Sequence, residues 1–487
     1  MRLAVENIKT TAIVGGKDFL LDIDLMKTLK EYLRVRPDGY NFSPMYKKRQ
    51  WDGWRYFIND RGEFATGFLE LILDYMKDLG VDVQIEDNRG NLPIVCRKFD
   101  DYVGEIDGVV WGLRDYQIPA VRSVFEKKVG GMPFPRGIID AATNAGKTSI
   151  IAGILNNLET YNSALFIVSS KTIFNQSVDF FSQVIGEPVG NISSGVYETK
   201  RFTVAMVKSL YNQAKKSNNV RKYLKEIDVL FVDESDEAGA TEYSKVLQWV
   251  GAGMRILVSG TPLEASKVNN MIAVGLSGKV LYKITNKEVI DAGYSLVPKI
   301  TIKRNKNTGN ALTYKDELEE EIHTSENRLK LIYDIVEEHS DKQIVITFIE
   351  KKHGYFMYEN LCNRFSSFRD QIEIAHGTSK DREDIIDRFK KGKTSVLLTS
   401  TILKKGANIP NIEVIILAQA GKSVITVKQF LGRGLRTDGK NSELLVYDFY
   451  DEGDYVSAHS RQRIRLYKKE RFDVVEDYKT FRGKQVN

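Results

Sequence analysis

Apolar positions along this chain follow two periods, and the change from one to the other marks its organisation. Leu21, Ile23, Leu25, Met26, Leu29 and Leu33 recur at helical spacing within 21–35 and predict an amphipathic helix. Residues 69–79 repeat that spacing, and 81–85 reads as a short strand. From about 101 to 286 the pattern becomes short, mostly apolar strand-like runs, at 137–139, 164–169, 202–206, 229–232 and 255–259, separated by amphipathic stretches. Runs of this kind predict strands buried on both faces, as in a parallel sheet covered by helices. Each run ends in polar or small residues, where ligands gather in open α/β sheets. A second alternation comes later, with strands at 343–348, 372–375, 395–399 and 414–417 and helices at 352–363, 380–389 and from 427. Between the two, 298–304 reads as an extended arm, 305–310 as the polar tip of an inserted hairpin or an ordinary connecting loop, and 311–321 as a charged helix. Beyond 454, Arg461, Arg463, Arg465, Lys468, Lys469 and Arg471 accompany Ile464, Leu466 and Val475, which predicts a helix packed on the core with one basic face. The expected fold class is α/β: two tandem domains with parallel sheets at 99–290 and 291–452, a small α/β domain at 1–98 and a helical extension at 453–487.

Composition narrows the picture. At 487 residues the chain has room for about three domains. Two distant cysteines, Cys96 and Cys362, and five scattered histidines exclude a disulfide scaffold and a zinc-ligand pattern. No run of 18 apolar residues and no cleavable apolar leader are present, so a cytoplasmic protein without membrane contact is expected. A net charge of +6 is compatible with a nucleic-acid partner without requiring one. The stretch 38–60 sharpens this. It interleaves Tyr40, Phe42, Tyr46, Trp51, Trp54, Tyr56 and Phe57 with Lys47, Lys48, Arg49 and Arg55. Most of these aromatics are expected to form the core of a small domain. The Lys47, Lys48 and Arg49 cluster is expected to touch DNA phosphates, the alternative being a solvated face.

Three motifs carry chemistry. At 137–155 an apolar strand leads through a small-residue turn into a helix, with Gly146-Lys147-Thr148 at the junction. Backbone N–H groups in such a turn, with the positive end of the helix dipole, cradle phosphate oxygens. Thr143, Asn144, Ala145 and Gly146 would form the cradle, Lys147 would reach the β- and γ-phosphates, and the Thr148 hydroxyl would ligate Mg²⁺. Asp233-Glu234 closes an apolar strand. One carboxylate can hold Mg²⁺ through its water shell and the next can orient an attacking water. At 429–436 the chain reads QFLGRGLR, placing Gln429, Arg433 and Arg436 at the spacing of an arginine-finger motif. Guanidinium groups there would meet the charge developing on the γ-phosphoryl oxygens.

In order, the chain holds LRDYQ (113–117), AATNAGKT (141–148), DESD (233–236), SGTP (259–262), AHGTSKDRE (375–383), LLTSTILKKGANIP (397–410) and QFLGRGLR (429–436). The set resembles superfamily-2 helicases and translocases over about 101–451. The resemblance implies two tandem RecA-like domains with ATP between them. It also implies that Gln117 reads the adenine edge with Arg114 near the base, that Gly406 senses nucleotide from the second domain, and that Thr261 couples hydrolysis to movement. Ser169, Lys171 and Ser209, with Thr399 and Ser400, fall where that superfamily grips a nucleic-acid backbone. Ala141 replaces the usual first glycine, a change the superfamily commonly accepts. Ser169-Ser170 stands where Pro-Thr is frequent, and Asn408 where Asp is. Within the superfamily, DGYNFSP…WDGW, the loop AATNAGKT and HSRQRIRLYKKERF (459–472) resemble bacteriophage UvsW-type helicases. That resemblance implies an ATP- and Mg²⁺-dependent, monomeric DNA helicase acting on branched and duplex DNA, with RNA–DNA hybrids as a further substrate. Two rivals stay open: a duplex translocase that moves without unwinding, and a DNA-binding scaffold with a dead ATPase. The second is disfavoured by the presence of Lys147, Asp233, Glu234, Arg433 and Arg436 together.

Overall fold

The computed structural model describes residues 1–13, 19–90, 92–96, 98–234, 241–306, 311–400, 412–421 and 443–477. The chain divides into two compact units, Met1–Ile284 and Thr285–Asn487.

The first unit opens with a small mixed sheet. Strands β1 (Arg2–Val5) and β2 (Lys9–Ile13) pair antiparallel, β3 (Glu63–Ala65) extends β2, and β4 (Gln84–Asp87) runs parallel to β1. The strand expected at 81–85 therefore starts three residues later. Leu3 and Val5 turn one face inward, where Leu29 of helix α1 (Phe19–Tyr32), Leu33 just after it, and Ile72 and Met76 of helix α2 (Leu69–Asp78) complete a core. That core does not stop at residue 98: Val129 and Phe134 belong to it. Phe68 lies against Gly275, where a Cβ would stand only 2.7 Å from its ring. Residues 1–98 thus share packed surface with the larger part of the same unit.

Among the described residues, an eight-stranded sheet dominates the rest of this unit. Its strands are β5 (Arg136–Ala141), β6 (Ala164–Val168), β7 (Gly190–Ser193), β8 (Val196–Glu198), β9 (Phe202–Met206), β10 (Val229–Asp233), β11 (Met254–Ser259) and β12 (Val280–Ile284). The order is β8-β7-β9-β6-β10-β11-β5-β12, parallel throughout except for β8. Every residue of β6, β10 and β11 is buried, as continuous apolar runs require. Arg136 and Arg255 sit side by side on β5 and β11, each 1% exposed. Burial lowers both guanidinium pKa values, that of Arg255 to about 10. Backbone carbonyls meet most of their donors: Arg136 donates to Asn7, Leu276 and Ser277, and the two terminal nitrogens of Arg255 to Leu247 and Val250.

In the second unit seven strands, all parallel, run in the order β15-β16-β14-β17-β18-β13-β19. They are β13 (Val297–Asn305), β14 (Ile344–Thr347), β15 (Ile372–Ala375), β16 (Val396–Thr399), β17 (Val414–Leu417), β18 (Glu443–Asp451) and β19 (Asp473–Glu476). The extended segment read as a hairpin arm is β13, an interior strand flanked by β18 and β19. Ile300 and Ile302 are fully buried, so the alternation that suggested an arm is the alternation of a sheet. Residues 307–310, the expected tip, lie outside the described residues. The C-terminal helix, Val456–Lys469, also departs from expectation. Arg461, Arg465, Lys468 and Lys469 are exposed, but Arg463 is 2% exposed and faces inward. Its guanidinium pairs with Asp448 at 2.8 Å, the Tyr467 hydroxyl donates to the same carboxylate at 2.7 Å, and Arg328 pairs with Asp451 beside them. The helix is thus anchored to β18 through buried charge.

Candidate active site

Parallel order brings the candidate residues to one edge of the first sheet. The phosphate loop follows β5, Ser169 follows β6, Asp233 closes β10, and Thr261 comes two residues after β11. Helix α3 (Lys147–Asn156) begins at Lys147, immediately after the loop. Asn144 (φ 69°) and Gly146 (φ 74°) both take left-handed backbone. Alternating left-handed positions turn successive N–H groups toward one concavity, the geometry of an anion nest. Gly146 is needed twice over. Its φ disfavours a side chain, and a Cβ would stand 2.4 Å from Gln117 Nε2.

Gln117 does not stand apart from the loop. It is 1% exposed; Nε2 donates to the Ala145 carbonyl at 2.6 Å, and Oε1 accepts from the Arg114 N–H at 2.9 Å. The amide thus braces the phosphate loop, in addition to the adenine reading that the resemblance implies. Arg114 Nη1 donates to the Asn144 carbonyl at 3.3 Å and to the Tyr116 hydroxyl at 2.6 Å, so it too is joined to the loop.

Asp233 is 8% exposed, and its Oδ1 accepts the Glu234 N–H at 3.0 Å. Among the described residues no three His, Cys, Asp or Glu side chains gather into a metal site. The available donors are hard oxygens, the Asp233 carboxylate and the Thr148 hydroxyl. This set fits Mg²⁺ that takes its remaining ligands from phosphate and water.

The proposed nucleic-acid contacts divide. Lys171 is exposed at the start of helix α4 (Lys171–Val184), which Ser170 caps by accepting the Ile173 N–H. Ser209 is half-buried and accepts the Ser194 N–H at 3.2 Å. Ser169 instead donates to the Glu234 carboxylate at 2.7 Å. Thr399 and Ser400 are 0% and 5% exposed at the end of β16, so neither hydroxyl reaches the surface expected of a backbone grip. The strand that ends here is covered on both faces, so consecutive residues are buried alike. Gly406, Gln429, Arg433 and Arg436 lie outside the described residues.

The aromatic-basic stretch is a surface. None of its seven aromatics is buried, and Phe42 is 74% exposed, which corrects the reading of them as a core. Arginines stack on two of them, Arg34 and Arg36 at 4.3 and 4.5 Å from the Trp54 ring and Arg36 at 4.8 Å from Tyr40, while half-buried Phe57 packs against the hydrophobic core. Asp52 ties the turn, accepting from the Trp54 N–H and the Tyr56 hydroxyl, and these bonds keep its carboxyl below the usual range. A cleft of about 590 Å³ opens here, lined by Tyr46, Lys47, Arg49, Gln50, Trp51 and Asp52 among others. Lys47, Lys48 and Arg49 are exposed around it. Arg34 and Arg36 were not singled out in the sequence. Their spacing on either side of Val35, facing a Trp-rich stretch, was the available signal.

Comparison with known proteins agrees with this geometry. Residues 111–264 match the family described as type III restriction enzyme, res subunit, and residues 327–438 match the helicase conserved C-terminal domain. With the phosphate loop in the first and an all-parallel sheet in the second, the chain is an ATP-dependent helicase of superfamily 2. It is similar over nearly its whole length to the ATP-dependent DNA helicase uvsW of Enterobacteria phage T4: 22% identical over 495 residues, covering 92% of this chain and 94% of the relative. It is also 24% identical over 396 residues to the DNA 3'-5' translocase XPB2 of Sulfurisphaera tokodaii, covering 72% of this chain and 84% of that one. Among solved structures, Mss116p bound to single-stranded RNA and AMP-PNP shares the fold, with a TM-score of 0.51 at 14% identity over 75% of this chain and 74% of that one. No described helix is long and apolar enough to cross a membrane.

Proposed function

We propose that this helicase unwinds and branch-migrates branched DNA, including Holliday junctions and forks, and that R-loops are a further substrate. Recombination, replication restart and repair are the processes this activity serves. The observation that carries the reading is the exposed aromatic-basic surface around Lys47–Arg49, built into the same compact unit as the phosphate loop. Stacked rings beside exposed cations suit a nucleic acid whose duplex arms are gripped by phosphate and whose bases are unstacked at a branch. The end-to-end likeness to a DNA helicase of phage T4 supports it, since that likeness includes residues outside the motor motifs.

In this reading ATP is the fuel, held by the loop from Thr143 to Thr148. Lys147 neutralises the β- and γ-phosphates, and Glu234 orients the attacking water. Mg²⁺, held by Thr148 and Asp233, screens the phosphate charge when bound. By the resemblance, Arg433 and Arg436 would meet the charge developing on the γ-phosphoryl oxygens, and Gln429 and Gly406 would sense the nucleotide. Gln117 and Arg114 keep the loop in shape beside the base. Movement follows from the different DNA affinities of the ATP and ADP states.

The test is ATP-dependent unwinding on matched forks, Holliday junctions, R-loops and blunt duplexes. Preference for the branched substrates is expected; equal activity on a blunt duplex removes the branch-migration reading. The likeness to a DNA translocase favours a second reading, duplex translocation without strand separation. Triplex displacement with no unwinding of any fork would establish that alternative.

A further inference from the structure

Ser169 and Glu234 meet because the sheet register brings them together. Strand β6 pairs with β10 from Ala164↔Val229 to Ile167↔Val232, and the same offset carried two residues further sets Ser169 beside Glu234. The serine Oγ donates to Glu234 Oε2 at 2.7 Å. Glu234 itself takes left-handed backbone, φ 56°, directly after β10 ends. Side matters here. The phosphate loop follows β5, which is separated from β10 by β11, whereas β6 is the neighbour on the opposite flank. The hydrogen bond therefore draws the Glu234 carboxylate away from the strand whose loop would hold the γ-phosphate. An oxygen already engaged by the serine is also not free to orient a water.

Ser169 is followed at once by Ser170, the N-cap of helix α4, and by exposed Lys171. A phosphate that engages this turn pulls on the residue that holds Glu234. We propose that Ser169 is a positioning residue that keeps Glu234 withdrawn until nucleic acid occupies the Ser170–Lys171 turn, so that hydrolysis waits for the track. The proposal rests on the proposed function, in which Glu234 orients the attacking water and Lys171 contacts nucleic acid. It gives the departure from Pro-Thr at 169–170 a purpose, because proline there could not donate.

The experiment is steady-state ATP hydrolysis by the full chain, without nucleic acid and with poly(dT) or forked DNA, for the parent, Ser169→Ala, Ser169→Cys, Ser169→Thr and Glu234→Gln. Ser169→Ala and Ser169→Cys should raise the nucleic-acid-free kcat roughly 3–10-fold, the range for one lost hydrogen bond. The stimulated kcat and the KM for ATP should stay near parental, so the stimulation ratio shrinks. Ser169→Thr keeps a hydroxyl and should restore the parental ratio. Equal losses with and without DNA, an unchanged ratio, or a parent that DNA does not stimulate would overturn the proposal. Glu234→Gln separates the two layers. Parental turnover in that variant removes the role of Glu234 itself. Lost turnover in Glu234→Gln beside an unchanged Ser169→Ala ratio removes only the latch.

Discussion

At the scale of single residues, position relative to the phosphate loop decides what a substitution does. Lys147 begins helix α3 at the loop, far along the chain from the aromatic surface of residues 34–56. Lys147→Ala should lower ATP turnover by about 10²-fold or more while DNA affinity stays within about twofold. Hydrolysis and fluorescence-anisotropy binding check it, and turnover above about a tenth of parental would show the loop assignment to be wrong. His353 in the second unit offers a pH test. Burial, helped by the nearby Arg328 and His323, pushes its pKa down to about 3. An unfolded chain protonates the imidazole near 6.5. Between these values the unfolded state binds more protons, so stability is complete above about pH 6.5 and falls as pH drops. By pH 5 the loss from this group is about 2 kcal/mol. His353→Gln should flatten the denaturation midpoint between pH 7 and 5 by that amount, and an unaltered slope would exclude the histidine as its source.

At the scale of elements, what was legible in the sequence was what continuous runs reveal. A strand such as 229–232 had one reading, because an unbroken apolar run can only be covered on both faces. The strand–turn–helix at 137–155 was legible for the same reason. Partners far along the chain were not. Gln117 was read from its motif, but its brace, Ala145, is 28 residues away. Arg463 looked like one more cation on a basic face because Asp448 lies on a strand 15 residues earlier. The aromatics of 38–60 were read as core because the arginines that stack on Trp54 precede the stretch. The hairpin reading failed because a single strand does not disclose its neighbours, and β13 finds both of them beyond residue 440. Its interior place is open to test. Ile302→Ala should cost about 2–4 kcal/mol, as for a fully buried strand residue. Urea unfolding measures it, and a cost below about 0.5 kcal/mol, the surface range, would restore an exposed arm.

At the scale of the whole molecule, the shared core alters how the N-terminal segment can be examined. Deleting 1–98 would leave Arg136 without its Asn7 acceptor and Gly275 without Phe68. A buried charge that loses a partner is strongly destabilising. The deletion should therefore lower the melting temperature and ATPase together, although no nucleotide motif precedes residue 113; an ATPase that stays at the parental rate would show the segment to be dispensable to the fold. Changing Lys47, Lys48 and Arg49 together to alanine is the cleaner probe, since all three are exposed. The slope of log affinity against log salt should flatten by about one to three, up to roughly 2.7 if every cation neutralises a phosphate. Salt-dependent junction binding by a triple variant with an unchanged melting profile checks it. The same slope and affinity as the parent would reject contact by this cluster.

The interior place of β13 also governs how the protein is made. The strand is complete once Asn305 has been synthesised, yet its partner residue Asp451 lies 146 positions later. A ribosome adding about 5–20 residues per second needs roughly 7–30 s to cover that distance. During that interval a nine-residue strand with two bare edges has emerged while the first unit, finished at Ile284, is already free to fold. Exposed edges of this kind invite pairing with other chains. Ribosomes stalled between 305 and 443 would therefore release chains with a working phosphate loop and an unprotected sheet edge, and the last strands to emerge are the ones that silence it.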